Sequence, residues 1–181
     1  LMFFLAGDLR WVEGWAFALW LLGLYLLTTL WMHAKNPALL AERRRQSSAE
    51  PGEADEAARS DRPLVLLIFV GFAAWIAVMP LEARRYHWTS PPALGTQASG
   101  AACLMLAAFF LFRATTDNSY LSGVVRVQSD RKQRVVSTGV YGIVRHPMYL
   151  GMTLMFFGAP LLLGSHFALA PALAAGAGVG V

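Results

Sequence analysis

Residues 137–151 read STGVYGIVRHPMYLG and decide how the rest of the sequence is interpreted. The segment holds an Arg-His pair, a proline and two tyrosines, and no Asp, Glu, Lys or Arg occurs from Met148 to Val181. An ionisable side chain beside a long apolar run is costly unless it faces a cavity or a partner. The pattern therefore favours a polar ligand held at a membrane surface by Arg145 and His146. The simpler alternative is that Arg145 only reaches the lipid headgroups and Pro147 only begins a helix.

The composition predicts a single membrane domain over residues 1–181. Of the 181 residues, 56% are hydrophobic and 14% are charged, which is too apolar for an ordinary soluble domain. The net charge of +4 comes from Lys and Arg in the loops, which favours the positive-inside bias of membrane proteins over nucleic-acid binding. The single cysteine, Cys103, lies within an apolar segment and cannot form a disulfide framework.

Five apolar segments predict an all-α polytopic membrane protein with about five transmembrane helices. They are Trp11–Trp31, Leu64–Leu81, Leu94–Phe112, Met148–Leu163 and His166–Val181. Gly164-Ser165 separates the last two segments, which we expect to form a helical hairpin. The stretch from Glu82 to Trp88 is expected to end the second span at a membrane interface, with His87 on the surface. Residues 43–62, rich in Ser, Glu, Asp and Ala, are expected to form a mobile linker.

Lysine and arginine are distributed unequally between the loops, and this distribution predicts the orientation of the chain. Met32–Arg62 carries six of them and Arg113–Arg145 carries another six, whereas the loop from Glu82 carries two and the N-terminal turn one. Loops rich in Lys and Arg remain on the cytoplasmic side of a membrane. Residues 137–151 are therefore expected to face the cytoplasm.

Three segments together resemble the isoprenylcysteine carboxyl methyltransferases and their bacterial relatives, and more distantly the phospholipid methyltransferases. They are Asn36–Arg43 (NPALLAER), Val124–Gln128 (VVRVQ) and Val135–Gly151, in which VVSTGVY is followed by RHPxYxG. The resemblance covers nearly the whole chain, and its most specific part is Arg145-His146-Pro147-x-Tyr149. It implies an S-adenosylmethionine-dependent methyltransferase integral to the bacterial inner membrane. The implied acceptor is the carboxylate of a prenylcysteine-like or other lipidic molecule, and the cofactor site faces the cytoplasm.

The residue types of this segment suit such a cofactor. S-adenosylmethionine carries a carboxylate that Arg134, Arg145 or His146 could hold. Tyr141 and Tyr149 offer aromatic faces to its sulfonium or its adenine. Methyl transfer from a sulfonium requires alignment of the reactants and exclusion of water. We therefore predict neither a metal site nor a general base.

The resemblance also assigns residues to roles, and it makes residues 113–181 the cofactor-binding half of the domain. The candidate catalytic residues are Arg145 and His146. The expected cofactor-binding residues are Gln128, Gln133, Arg134, Val135, Val136, Tyr141, His146, Pro147, Met148 and Tyr149. The expected partners are a lipidic or small-molecule methyl acceptor and the bilayer, with no nucleic acid and no obligate protein partner.

Several alternatives stay open at this point. The acceptor could instead be a small thiol, a quinone-like lipid or a phospholipid amine, because acceptor contacts come from scattered positions in the spans. A non-catalytic membrane scaffold that retains the fold is a second class of function. A channel or transporter has little support, because the spans contain few ionisable residues.

The two ends of the sequence bear on its activity. The chain opens on Leu1 and closes within an apolar run at Val181. The family that it resembles continues into an Arg/Glu-Glu segment that closes over the cofactor. We therefore expect a C-terminally truncated chain that is incomplete as a catalyst.

Overall fold

A computed structural model describes residues 1–37, 39–41, 55–118 and 136–170. Within these ranges the chain forms helices and no strand. The helices include α1 (Met2–Ala6), α2 (Val12–Lys35), α3 (Asp55–Pro80), α4 (Leu94–Asp117) and α5 (Pro147–Leu163). A π-helical turn, Leu81–Arg85, extends α3, and a short 3-10 helix, Gly139–Gly142, precedes α5.

Three helical segments are long and apolar enough to cross a membrane, namely Val12–Lys35, Pro63–Arg85 and Leu94–Asp117. Helix α5 is apolar but has only 17 residues, which is about 25 Å at 1.5 Å per residue. These helices confirm the prediction of an all-α membrane protein. The predicted fifth span is described only as far as Ala170, and its remainder lies outside the described residues.

The structure extends two of the predicted helices. Helix α4 begins at Leu94 as predicted but continues five residues past Phe112 to Asp117. Helix α3 begins at Asp55, so residues 55–62 are helical where a mobile linker was expected. Residues 55–59 read DEAAR, and Ala, Glu and Arg favour helix strongly. The helix of the following span is therefore extended toward its N-terminus. The other part of the expected linker, residues 43–54, lies outside the described residues.

Helices α4 and α5 form an antiparallel pair whose backbones are in direct contact. A Cβ added to Gly158 of α5 would lie 2.9 Å from the carbonyl oxygen of Gly100 in α4. Nearer the other end of the pair, a Cβ on Gly151 would lie 2.8 Å from Cγ of Leu111. Two alanines of α4, Ala107 and Ala114, are fully buried. Small residues at intervals of seven therefore line the contact, and in a bilayer such faces let helices approach closely enough for van der Waals attraction.

Two tryptophans join α2 and α3 to this pair. The indole N–H of Trp20 in α2 donates to the carbonyl oxygen of Leu104 at 3.0 Å. The indole N–H of Trp75 in α3 donates to the carbonyl oxygen of Ala168 at 2.9 Å, and its ring contacts Phe156 with centroids 4.6 Å apart. A buried indole N–H requires an acceptor. These two bonds therefore set which faces of α2 and α3 pack against the α4–α5 pair and the turn that follows α5.

The C-terminal end of α5 is a tight turn at Gly164. This residue adopts φ 79°, the left-handed conformation that glycine tolerates best. The backbone N–H groups of Gly164 and Ser165 both donate to the carbonyl oxygen of Pro160, at 2.8 and 2.9 Å. Pro92 packs so closely that a Cβ on Gly164 would lie 2.6 Å from its Cδ. The predicted break at Gly164-Ser165 is confirmed.

Glu82 lies beside this turn and is completely buried. Its carboxylate accepts the hydroxyl of Ser165 and the backbone N–H groups of His166 and Phe167, the latter two at 2.8 and 3.1 Å. These donors replace the water that a buried carboxylate loses. The two ends of the expected interfacial segment therefore differ in exposure. His87 is exposed as predicted, whereas Glu82 is buried inside the protein.

The contacts define two ends of the molecule, the Glu82 end and the Asp117 end. At the Glu82 end, Nε of Arg84 donates to Oδ2 of Asp8 at 2.8 Å. The backbone N–H of Arg10 and the Arg84 guanidinium lower the pKa of Asp8. At the Asp117 end, the last turn of α4 contacts the 3-10 helix, and α5 lies against Leu111 of α4 at Gly151.

The close contact between α4 and α5 predicts that Gly158→Ala will destabilise the protein. The added Cβ would meet the carbonyl of Gly100 and the side chains of Cys103 and Leu104 at 2.9–3.0 Å, and overpacking of this kind costs about 1–3 kcal/mol. Gly23→Ala is the matched control, because no atom lies within 4 Å of its Cβ position. Removing that glycine from a helix should stabilise it by up to about 1 kcal/mol. Reversible unfolding in mixed detergent measures both, and equal stability of the two variants would contradict the packing described.

Candidate functional site

The candidate site lies at the Asp117 end, where three chain segments meet. They are the last turn of α4, the Gly139–Gly142 turn, and the start of α5 from His146. Backbone carbonyls at the end of α4 and backbone N–H groups at the start of α5 lack partners within their own helices. Polar side chains from the neighbouring segments are therefore favoured here.

Tyr141 provides one of these side chains. Its hydroxyl donates to the carbonyl oxygen of Ala114 at 3.3 Å and accepts the side-chain amide of Asn118, also at 3.3 Å. Ala114 lies in the last turn of α4, so the tyrosine occupies one of the carbonyls left free at that helix end. The side chain of Tyr141 is half-buried, and its ring is held against α4.

Asp117, the last residue of α4, holds the same turn from its other side. Its Oδ2 accepts the backbone N–H of Val140 at 2.9 Å and forms an ion pair with Nη2 of Arg113 at 3.0 Å. The turn can approach because Gly139 adopts φ 61°, a conformation that glycine enters without steric cost. Val140 is buried beneath the turn.

The Arg-His-Pro-x-Tyr segment forms the start of α5. Pro147 occupies the first helical position and is fully buried, which anchors the helix start. Arg145 and His146 are exposed. The rings of His146 and Tyr149 stack with centroids 5.6 Å apart and planes 23° from parallel, and Tyr149 is 66% exposed. The segment therefore presents a guanidinium and two stacked rings on the outside of the protein.

The electrostatics of this corner favour an anionic group. The first turn of α5 contains no acidic residue, and the N-terminus of a helix carries a partial positive charge. Arg145 adds a full positive charge immediately before that helix. Carboxylate binding beside aromatic faces is therefore the chemistry that this arrangement allows.

The structure describes some of the predicted site residues and not others. Residues 145–149 and Tyr141 lie in the segments that meet at this end, and Val136 is a half-buried residue before the turn. Their predicted roles in binding and catalysis remain predictions. Four predicted positions lie outside the described residues, and these are Gln128, Gln133, Arg134 and Val135.

Sequence reasoning missed Asp117 and Asn118. Both lie beyond the predicted end of the third span at Phe112, in a segment read only as a polar loop. One signal was present, because Arg113 and Asp117 are four residues apart and form a favourable pair once the helix continues. Nothing local indicated that the carboxylate would meet Val140.

The fold and this site define an all-α integral-membrane protein with a polar, aromatic surface at one end of a tightly packed helix pair. Residues 96–177 match the family model of phospholipid methyltransferase. The match covers nearly all of α4, the Gly139–Gly142 turn and α5, and it supports a membrane methyltransferase. No curated protein and no solved structure matches the chain. The more specific resemblance to the isoprenylcysteine branch remains a prediction.

Proposed function

We propose that the protein is an S-adenosylmethionine-dependent methyltransferase that methylates the carboxylate of a prenylcysteine-like or other lipidic acceptor. The observation that carries this proposal is the match of residues 96–177 to a methyltransferase family. The matched region contains the exposed Arg145, His146 and Tyr149 at the start of α5. The choice of a carboxylate acceptor rests on the resemblance of the Arg-His-Pro-x-Tyr segment to the isoprenylcysteine enzymes.

The residues present fit this cofactor. Arg145 and the N-terminus of α5, whose first turn holds no acidic residue, suit its carboxylate. The exposed faces of Tyr149 and His146 suit its adenine or its sulfonium. Tyr141, Val136 and Met148 are the other described residues that we assign to the pocket wall. Pro147 is fully buried, and we assign it the role of fixing the helix start beside that pocket. When bound, S-adenosylmethionine supplies a methyl group activated by a positively charged sulfur.

The chain's own task is alignment and exclusion of water. Arg145 and His146 hold the polar part of the cofactor at the membrane boundary, and the apolar surfaces of the spans admit the acceptor from the lipid. A carboxylate is already a nucleophile at neutral pH, so no side chain needs to remove a proton from it. Holding the nucleophile close to the methyl carbon and away from water accounts for the catalysis.

A phospholipid amine is the second candidate acceptor, because the family model that matches residues 96–177 is described as phospholipid methyltransferase. An ammonium headgroup must lose a proton before it can accept a methyl group, which a carboxylate need not do. The two acceptors therefore predict different dependence of the rate on pH near neutrality.

Radiolabelled methyl transfer discriminates between these functions. The protein in lipid nanodiscs should transfer the methyl group of S-adenosylmethionine to a prenylcysteine analogue. Base should then release the label as methanol, because a methyl ester hydrolyses in base. Labelling of phosphatidylethanolamine instead would establish the second candidate. Cofactor binding with no transfer to any acceptor offered would favour the scaffold alternative, and no binding at all would refute the proposal.

His146→Ala should weaken the binding of S-adenosylmethionine without unfolding the protein. Loss of a hydrogen bond to a charged ligand group costs about 1.5–3 kcal/mol, roughly a ten- to a hundred-fold change in affinity. His166→Ala is the matched control, because His166 is also exposed but lies at the Glu82 end. Isothermal calorimetry measures both affinities. An unchanged affinity in His146→Ala would remove this residue from the proposed pocket.

The proposed inner-membrane location carries a prediction about sidedness. Single cysteines introduced as Ser137→Cys and Ser90→Cys lie at exposed positions at the Asp117 end and the Glu82 end, in a Cys103→Ala background. An impermeant thiol reagent added to intact cells should label position 90 and leave position 137 unlabelled until the cells are lysed. The reverse pattern would place the proposed cofactor site outside the cytoplasm.

A further inference from the structure

Within residues 1–37, 39–41, 55–118 and 136–170, the carboxylate of Asp117 has two partners, and both belong to the segments that meet at the candidate site. It accepts the backbone N–H of Val140 across 23 residues of sequence at 2.9 Å, and it pairs with Arg113 one helical turn earlier at 3.0 Å. Its side chain is only 13% exposed, compared with 41% for Arg113. Water therefore competes weakly for this carboxylate, which strengthens its hydrogen bond to the Val140 backbone.

Gly139 makes the contact between this carboxylate and the turn unusually close. A Cβ on Gly139 would lie 2.7 Å from Cγ of Asp117 and 3.3 Å from Nη2 of Arg113. The backbone of Gly139 also has φ 61°, which side chains of L-residues seldom adopt. Two features therefore fix the position of the turn. Asp117 accepts the N–H of Val140, and the absence of a side chain at Gly139 lets the backbone lie against Asp117 and Arg113.

The position of Tyr141 depends on the contact between Asp117 and Val140. It follows Val140 directly, and its hydroxyl reaches the end of α4 at Ala114 and Asn118. Four residues later the chain reaches Arg145 and then the start of α5. A change in the angle at which the turn leaves α4 would therefore move Tyr141 relative to the exposed residues of the Arg-His-Pro-x-Tyr segment.

We propose that Asp117 is a positioning residue, which holds the Gly139–Gly142 turn on the end of α4 so that Tyr141 faces the cofactor. This inference rests on the proposed function. Asp117 acts through the backbone N–H of Val140, and the ion pair with Arg113 holds its carboxylate beside the turn. In this proposal the carboxylate binds the turn and does not contact the cofactor.

Amide hydrogen exchange and cofactor affinity, measured on the full chain in nanodiscs, test this inference. Asp117→Ala should increase exchange in peptides covering residues 138–143 and weaken S-adenosylmethionine binding by about ten-fold, the loss typical of one charge-assisted hydrogen bond. Asp117→Asn keeps an oxygen that can accept the Val140 N–H, and it should recover most of the affinity and of the exchange protection.

The matched control is Asp8→Ala, because Asp8 also accepts a backbone N–H and pairs with an arginine, Arg84, at the Glu82 end. It should change neither the affinity nor the exchange of residues 138–143. Gly139→Ala provides a second route to the same state, since its Cβ would push the turn off the carboxylate. It should reproduce the Asp117→Ala phenotype with Asp117 intact.

The outcomes separate this inference from the proposed function. Unchanged exchange in Asp117→Ala would overturn the positioning role. Faster exchange with unchanged cofactor affinity would also overturn it, because the turn would then be irrelevant to binding. Failure of the wild-type protein to bind S-adenosylmethionine would refute the proposed function and the cofactor part of this inference together. The exchange measurement, which needs no cofactor, would still decide whether Asp117 fixes the turn.

Discussion

The close contact between α4 and α5 is the interaction on which the rest of the structure depends. A bilayer offers helices little hydrophobic drive to associate, so van der Waals contact has to supply most of the attraction. Gly100 and Gly158 supply it by letting two backbones meet where any side chain would hold them apart. The pair is antiparallel, so it also brings the end of α4 beside the start of α5. The candidate site is a consequence of that arrangement.

Backbone groups at the two ends of this pair find their hydrogen-bond partners in different ways. Helix ends leave backbone donors and acceptors without partners, and such groups are costly away from water. At one end the carboxylate of Glu82 accepts N–H groups of the turn after α5 and is fully enclosed. At the other end Asp117 accepts an N–H of the turn before α5, and Tyr141 of that turn donates to a carbonyl at the end of α4. At the Glu82 end the carboxylate is buried with its partners, whereas at the Asp117 end exposed polar and aromatic side chains lie beside the turn.

That asymmetry relates the fold to the proposed function. The Asp117 end combines a fixed turn with the exposed, stacked rings of His146 and Tyr149. The family match covers this helix pair and the Gly139–Gly142 turn before α5. A methyltransferase at a membrane needs a rigid polar binding surface next to lipid, and a close-packed pair of apolar helices with polar groups at one end meets that need.

The sequence by itself determined the features that depend on neighbouring residues. Apolar runs predicted the spans, because each residue in a bilayer is solvated by lipid whatever its distant partners are. The break at Gly164 followed from glycine's access to the left-handed region, and residues 145–149 stood out because they are contiguous. Only the tertiary structure decided the burial of Glu82 and the contact between Asp117 and Val140. Both depend on donors that lie 83 and 23 residues away in the chain, and a carboxylate's environment follows from those partners rather than from its sequence neighbours.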